Sequence, residues 1–160
     1  MADAKWLSDD EERAWRGYLR MRTLLTAQIG RDLADDSGLS DPDYTVLSNL
    51  SEAEGHRWRL NELAARMLWS KSRLSHQIAR MQERGLVARE DCVTDGRGAF
   101  VVLTTNGLRA IKAAAPPHVA SVRRHFVDLL TAHEIDTLAT IANKVVDHLS
   151  EPVTRRTAPA

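Results

Sequence analysis

The chain has 160 residues, with 22 basic and 22 acidic side chains and a formal net charge of zero. Hydrophobic residues make up 43% and charged residues 28%, the balance of one globular domain with enough apolar material for a core. No apolar run approaches the roughly 18 residues of a membrane span; the start MADAKWLSDDEE lacks the pattern of a secretion signal, and one cysteine excludes an internal disulfide, so a cytoplasmic location is expected.

A long amphipathic helix is predicted from Asp9 to about Asp36. Trp15, Tyr18, Leu25 and Ile29, with Leu19, Met21 and Leu33 alongside, build a broad apolar side. Asp9, Asp10, Glu11 and Glu12 stand in its first turn, where carboxylates suit the helix dipole. Gly38 and Ser40-Asp41-Pro42 form a break. Pro42 at a first helical position opens a second helix to about Glu54, ended by Gly55, with Tyr44, Val46, Leu47 and Leu50 mostly buried.

The stretch from Arg59 to Leu103 is the most specific part. Leu60, Leu63, Ala64 and Met67 recur at helical spacing. Leu68 and Trp69 lead into a turn, and Ser70 is placed to cap the next helix. That helix runs from about Lys71 to Arg84, with Leu74, Ile78 and Met81 facing inward. Lys71, Ser72, Arg73, Ser75, His76, Gln77 and Arg80 fall on the outer side, a donor-rich set suited to phosphates and base edges. Gly85 ends it in a left-handed conformation. Two strands follow, Leu86–Arg89 and Ala99–Leu103, around EDCVTDGRGA, which places Arg97 near a hairpin tip. A helix-turn-helix with an Arg-tipped wing fits a DNA groove. Each element taken singly is also compatible with a mere packing module; their order is what points to double-stranded DNA.

Thr105 opens a helix expected to reach about Leu130, kinked or divided at Pro116-Pro117. Thr131 and Glu134 make a capping box for a last helix. There Ile135, Leu138, Ala142, Val145 and Leu149 follow the 3-4 spacing of a helix–helix seam. The end, PVTRRTAPA, reads as a disordered tail. The expected fold class is therefore mainly α with a small β-wing. A winged helix-turn-helix region, 42–104, is flanked by a helical dimerisation region, 1–36 and 105–150, with 151–160 as the tail. A homodimer is the economical way to cover the terminal apolar faces; a purely intramolecular helical cap is the alternative.

Charge is unevenly spread. Residues 1–55 carry 6 basic and 12 acidic side chains, residues 56–97 carry 9 and 5, and residues 98–160 carry 7 and 5. The positive excess is thus concentrated on the segment proposed to meet phosphate. The six histidines form no H-E-x-x-H pattern, and C-x-x-C, G-x-S-x-G and P-loop motifs are missing, so neither an enzyme, a metal site nor a cofactor is expected.

LNELAARMLWSKSRLSHQIARMQERGLVARE, the Asp95-Gly-Arg97 wing, the VVLTTNG junction ending at Gly107 and the LLTAHE start of the last helix together resemble the MarR family of winged-helix regulators, over about residues 10–149. The resemblance implies a homodimer on a pseudo-palindromic operator, often a repressor released by a small aromatic or phenolic effector. It places Ser70 to Arg80 in the major groove and Arg97 at the wing, oriented by Asp95. Arg73, His76, Gln77 and Arg80 are assigned to bases or adjacent phosphates, and Ser70, Lys71, Ser72 and Ser75 to phosphates. Gln77 suits adenine and Arg73 guanine. Trp15, Tyr18, Trp58 and His118 are the candidates for an effector cleft, although their place on an apolar helix face favours a core role for Trp15 and Tyr18. Cys92 lies beside Glu90 and Asp91, so it is not expected to be a reactive thiol.

Overall fold

The computed structural model describes residues 5–91 and 99–150. The chain divides into two compact units, Met1–Ser121 and Val122–Ala160. The first unit opens with α1 (Asp9–Ser37) and α2 (Asp41–Glu52). A 3-10 turn at Glu54–His56 leads to β1 (Arg57–Arg59), α3 (Leu60–Arg66) and α4 (Lys71–Glu83). The strands β2 (Val87–Asp91) and β3 (Ala99–Leu103) follow, then α5 (Thr105–His125), which carries the chain into the second unit.

Local chemistry sets the helix ends. Ser8 and Glu11 form a reciprocal capping box at the start of α1, and Ser40 and Asp43 form another at the start of α2. Gly38, at φ 65°, closes α1 with its N–H on the Ala34 carbonyl. One core joins these elements. Val46, Leu47 and Leu50 from α2, Leu63 from α3, Leu74, Ile78 and Met81 from α4 and Val101 from β3 are all fully buried. Leu33, at the end of α1, and Leu39, just past it, belong to the same core.

The sheet is antiparallel in the order β1-β3-β2. Val87 pairs with Leu103 and Arg57 with Val102. The sequence reading foresaw β2 and β3 but not β1. Three residues are too short for an alternation to be read, and the strand exists because β3 offers it an edge. Phe100 anchors the outer face of this sheet. The guanidinium carbons of Arg57 and Arg59 lie 3.9 Å and 5.1 Å from its ring centroid, and Arg57 reaches Glu90 on β2 at 3.6 Å.

The junction of β3 with α5 is tied to the end of α4. The Thr104 hydroxyl donates to the Gly85 and Leu86 carbonyls at 2.7 and 3.0 Å, and accepts from the Gly107 N–H at 2.9 Å. Gly107 is required here, because a Cβ at that position would stand 2.0 Å from the Leu86 carbonyl oxygen. The division expected at Pro116-Pro117 does not occur. Both prolines lie inside α5, which continues to His125 rather than to Leu130. Two missing donors on one turn leave the other bonds of that helix in place, and the φ of proline already suits a helix.

In the second unit, a 3-10 turn at Val127–Leu129 precedes α6 (Ala132–Ser150). Arg123 and Asp128 pair at 2.5 Å. The Thr131–Glu134 capping box is present: the Thr131 N–H and hydroxyl both donate to the Glu134 carboxylate at 2.8 Å. Those bonds hold the Glu134 carboxyl below its usual range. No residue of α6 is buried. Of the seam residues, Leu138 is half-buried, while Ile135, Ala142, Val145 and Leu149 are exposed. Among the described residues no helix is long and apolar enough to cross a membrane.

Candidate nucleic-acid interface

The turn between α3 and α4 is built from main-chain bonds. The Leu68 N–H donates to the Ala65 carbonyl at 3.1 Å and the Trp69 N–H to the Ala64 carbonyl at 2.9 Å. This is a Schellman closure, and it requires a left-handed residue after the helix. Leu68 fills that place at φ 54°, where glycine is usual, and its side chain is 94% exposed. Gly85 makes the same closure after α4, at φ 67°, with its own N–H on Gln82 and the Leu86 N–H on Met81. Two tight closures therefore bracket α4 and fix where it starts and stops.

Ser70 caps α4, its hydroxyl accepting from the Arg73 N–H at 3.2 Å. Lys71, Ser72, Arg73, His76 and Arg80 are all exposed along the helix, and Ser75 is half-buried. The Arg73 guanidinium carbon lies 4.0 Å from the Trp69 ring centroid, stacked back over the turn. Arg89, on β2, donates to the Ser75 carbonyl at 3.2 Å and so ties the sheet to α4. Asp95, Arg97 and Cys92 lie outside the described residues, as does the 151–160 tail.

Gln77 does not stand on the outer face. It is 7% exposed, and its side-chain amide donates to the Asp43 carboxylate at 2.6 Å. The sequence assignment of Gln77 to adenine is corrected accordingly: position 77 is three residues from Leu74 and four from Met81, at the edge of the buried stripe, and the Asp43 carboxylate draws its amide inward. Asp43 itself is 1% exposed. Its carboxylate also accepts from the Ser40 N–H at 3.0 Å, the Ser40 hydroxyl at 2.8 Å and Arg84 at 2.6 Å. Burial pushes the Asp43 carboxyl up, but the Ser40 and Arg84 donors outweigh it and hold it below the usual carboxylate range. Arg84 reaches further, to the Gly38 carbonyl at 3.0 Å. Neither Asp43 nor Arg84 was singled out from sequence. The S-x-x-D spacing of Ser40 and Asp43 was the available signal for half of this cluster.

The four residues proposed for an effector cleft are placed differently from one another. Trp15 and Tyr18 stack on α1 with centroids 5.7 Å apart, and both are exposed at 52% and 45%, so neither is core in this chain. Trp58 is half-buried against the core, its indole N–H donating to the Asn49 carbonyl at 3.2 Å. His118 lies against Tyr44, with ring centroids 4.2 Å apart, and its buried Nδ1 has no hydrogen-bond partner among the described residues. Burial and the charge of Glu52 push the Tyr44 hydroxyl up. A cavity of about 280 Å³ lies between the end of α2 and the first half of α5, lined by Ser51, His56, Leu108, Ile111, Lys112 and Ala115. None of the four residues lines it. No group of three or more metal-ligating side chains occurs among the described residues.

The comparisons agree with one another. A family model described as MarR family matches residues 37–98. Transcriptional regulator HosA of Escherichia coli O157:H7 is 31% identical over 133 residues, 82% of this chain and 96% of that protein. The crystal structure of AbsC, a MarR family transcriptional regulator from Streptomyces coelicolor, is 48% identical with a TM-score of 0.85, covering 91% of this chain and 98% of that one. Sco3205, a MarR family transcriptional regulator from the same organism crystallised in complex with DNA, is 36% identical with a TM-score of 0.87, covering 98% and 97%. With near-complete coverage on both sides and the winged helix-turn-helix in place, the chain belongs to the MarR family of transcriptional regulators.

Proposed function

We propose that this regulator is a homodimer that binds a pseudo-palindromic DNA operator, with α4 in the major groove and the 91–99 wing in the minor groove. One observation carries the reading. Lys71, Ser72, Arg73, His76 and Arg80 project from a helix whose other side is locked into the core, and the relative Sco3205 was crystallised with DNA. Arg73, His76 and Arg80 are the candidates for bases or adjacent phosphates; Ser70, Lys71, Ser72 and Ser75 for phosphates. Asp95 and Arg97 remain the wing contacts of this proposal. The unpartnered apolar residues of α1 and α6, within the 1–36 and 105–150 region, form the dimer contacts. The protein acts as a repressor, and a small aromatic or phenolic effector releases it.

The test is fluorescence anisotropy on duplexes that the protein itself selects from a random pool. Log affinity falls steeply with log salt, since phosphate contacts release counterions. Arg97→Ala weakens binding by at least about 1 kcal/mol, the scale of one charged contact. A flat salt dependence would instead make the winged unit a protein-interaction module. Val145→Asp shifts sedimentation from dimer to monomer if α6 carries the dimer seam. For the effector, a panel of aromatic acids is scored by thermal shift, because a ligand of the folded state raises Tm by mass action.

A further inference from the structure

The recognition helix is held by more than apolar packing. Leu74, Ile78 and Met81 bury one side of α4, and such contacts are non-directional. They set which side of the helix faces inward, but small rolls and tilts about its axis are less sharply fixed by them. Hydrogen bonds fix these more sharply, because they weaken steeply off line. Gln77 of α4 and Arg84 at its C-cap make such bonds to the junction of α1 and α2: Gln77 to Asp43, in the first turn of α2, at 2.6 Å, and Arg84 to Asp43 at 2.6 Å and to Gly38, the cap of α1, at 3.0 Å. Gln77 and Arg84 are two helical turns apart, roughly 10 Å along the axis. A rod attached at two such points can neither roll nor pivot freely. Asp43 is in turn immobilised by both donors of Ser40.

This junction is not an arbitrary anchor. Gly38 is the cap of α1, and Leu33 and Leu39 on either side of it are buried in the shared core. The Ser37 hydroxyl donates to the Leu33 carbonyl at 2.6 Å and accepts from the Leu39 N–H at 3.3 Å. The end of α1 and the attitude of α4 are thus set by the same few atoms.

We propose that Asp43, Gln77 and Arg84 form a positioning strut that references the recognition helix to the end of α1, and so set which half-site spacing the regulator accepts. The inference rests on the DNA-binding reading above. The residues touch no DNA in this proposal; they act through the rotation and tilt of α4, on which the reach of Arg73, His76 and Arg80 depends. Gln77 therefore matters for binding for a reason opposite to base readout.

The test uses the full chain and a duplex that the wild-type protein selects from a random pool, with derivatives that lengthen or shorten the spacer between half-sites by one base pair. Asp43→Asn keeps the shape and removes the charge. Gln77→Met removes one donor and leaves Asp43 bonded to Ser40 and Arg84. Each variant is expected to lose at least tenfold affinity for the selected duplex and to discriminate between spacers at least threefold less than wild type. A merely structural defect lowers binding to every duplex alike, so an unchanged spacer ratio in a folded variant overturns the proposal. Should Asp43→Asn fail to fold, Gln77→Met decides. Hydrogen exchange of the free protein provides a readout without DNA: amides of α4 are expected to exchange faster in Gln77→Met while those of α6 do not change. If the wild type selects no duplex, the DNA reading fails on its own, and unchanged α4 exchange would then sink the strut as well.

Discussion

Gly107→Ala is the sharpest perturbation the fold offers. The new methyl would meet the Leu86 carbonyl oxygen at 2.0 Å and a Leu103 methyl at 2.8 Å. Leu103 can swing aside, but the carbonyl belongs to main chain and must retreat by about 1.4 Å to reach ordinary contact. That carbonyl accepts from the Thr104 hydroxyl at 3.0 Å and from the Thr104 N–H at 3.2 Å. Stretching two bonds costs about 1 kcal/mol each, and overpacking a tight junction adds about 1–3 kcal/mol. A destabilisation of about 3–5 kcal/mol is expected, or roughly 6–20 °C in Tm for a chain of this size. Urea unfolding at fixed chain concentration measures it, with Gly17→Ala as the control. Nothing lies within 4 Å of a Cβ at Gly17, in the middle of α1, so that variant should gain about 0.5–1 kcal/mol. A Gly107→Ala loss below about 1 kcal/mol with an unchanged m-value would refute the reasoning.

Leu68→Gly relieves a left-handed side chain that is exposed and therefore gives up no burial; a gain of up to about 1 kcal/mol in urea stability is expected, and a loss would show that the turn is not strained. Asp43 sets an acid limit. Its carboxyl is held below the ordinary value of about 4, so its contribution is complete above that pH and is lost as pH falls through the lower folded value. Acid unfolding followed by circular dichroism should lose this component in Asp43→Asn; an identical acid limb in both proteins would contradict it. Trp69→Leu frees the Arg73 guanidinium from its stack and should weaken binding to the selected duplex by about two- to fivefold, on the scale of an exposed cation–π contact. Affinity that stays the same would show that the stack does not orient Arg73.

Much of the fold was legible in local pattern. The α4 boundaries followed from Ser70 as cap and Gly85 as stop, and the α6 start from Thr131 and Glu134, because capping chemistry depends on residues three apart. The apolar side of α4 was legible too, from Leu74, Ile78 and Met81. β1 was not, since Arg57–Arg59 become a strand only when β3 lies beside them. The proline pair, expected to kink or divide the helix, does not divide it: a helix interior with Pro116 and Pro117 is locally unfavourable, yet α5 continues through it.

The site divides along the same line. The sequence by itself determined which charged side chains can leave α4 for a partner, because Lys71, Arg73, His76 and Arg80 follow from helical spacing alone. It also determined where that helix begins and ends. Only the tertiary structure decided that Gln77 belongs to the interior. A polar residue at the edge of an apolar stripe reads as outward-facing, and it is drawn in only when a buried carboxylate thirty-four positions earlier is waiting to accept its amide. Helical periodicity is a property of neighbours along the chain, whereas the Asp43–Gln77–Arg84 cluster is a property of two segments, α2 and α4, meeting in space.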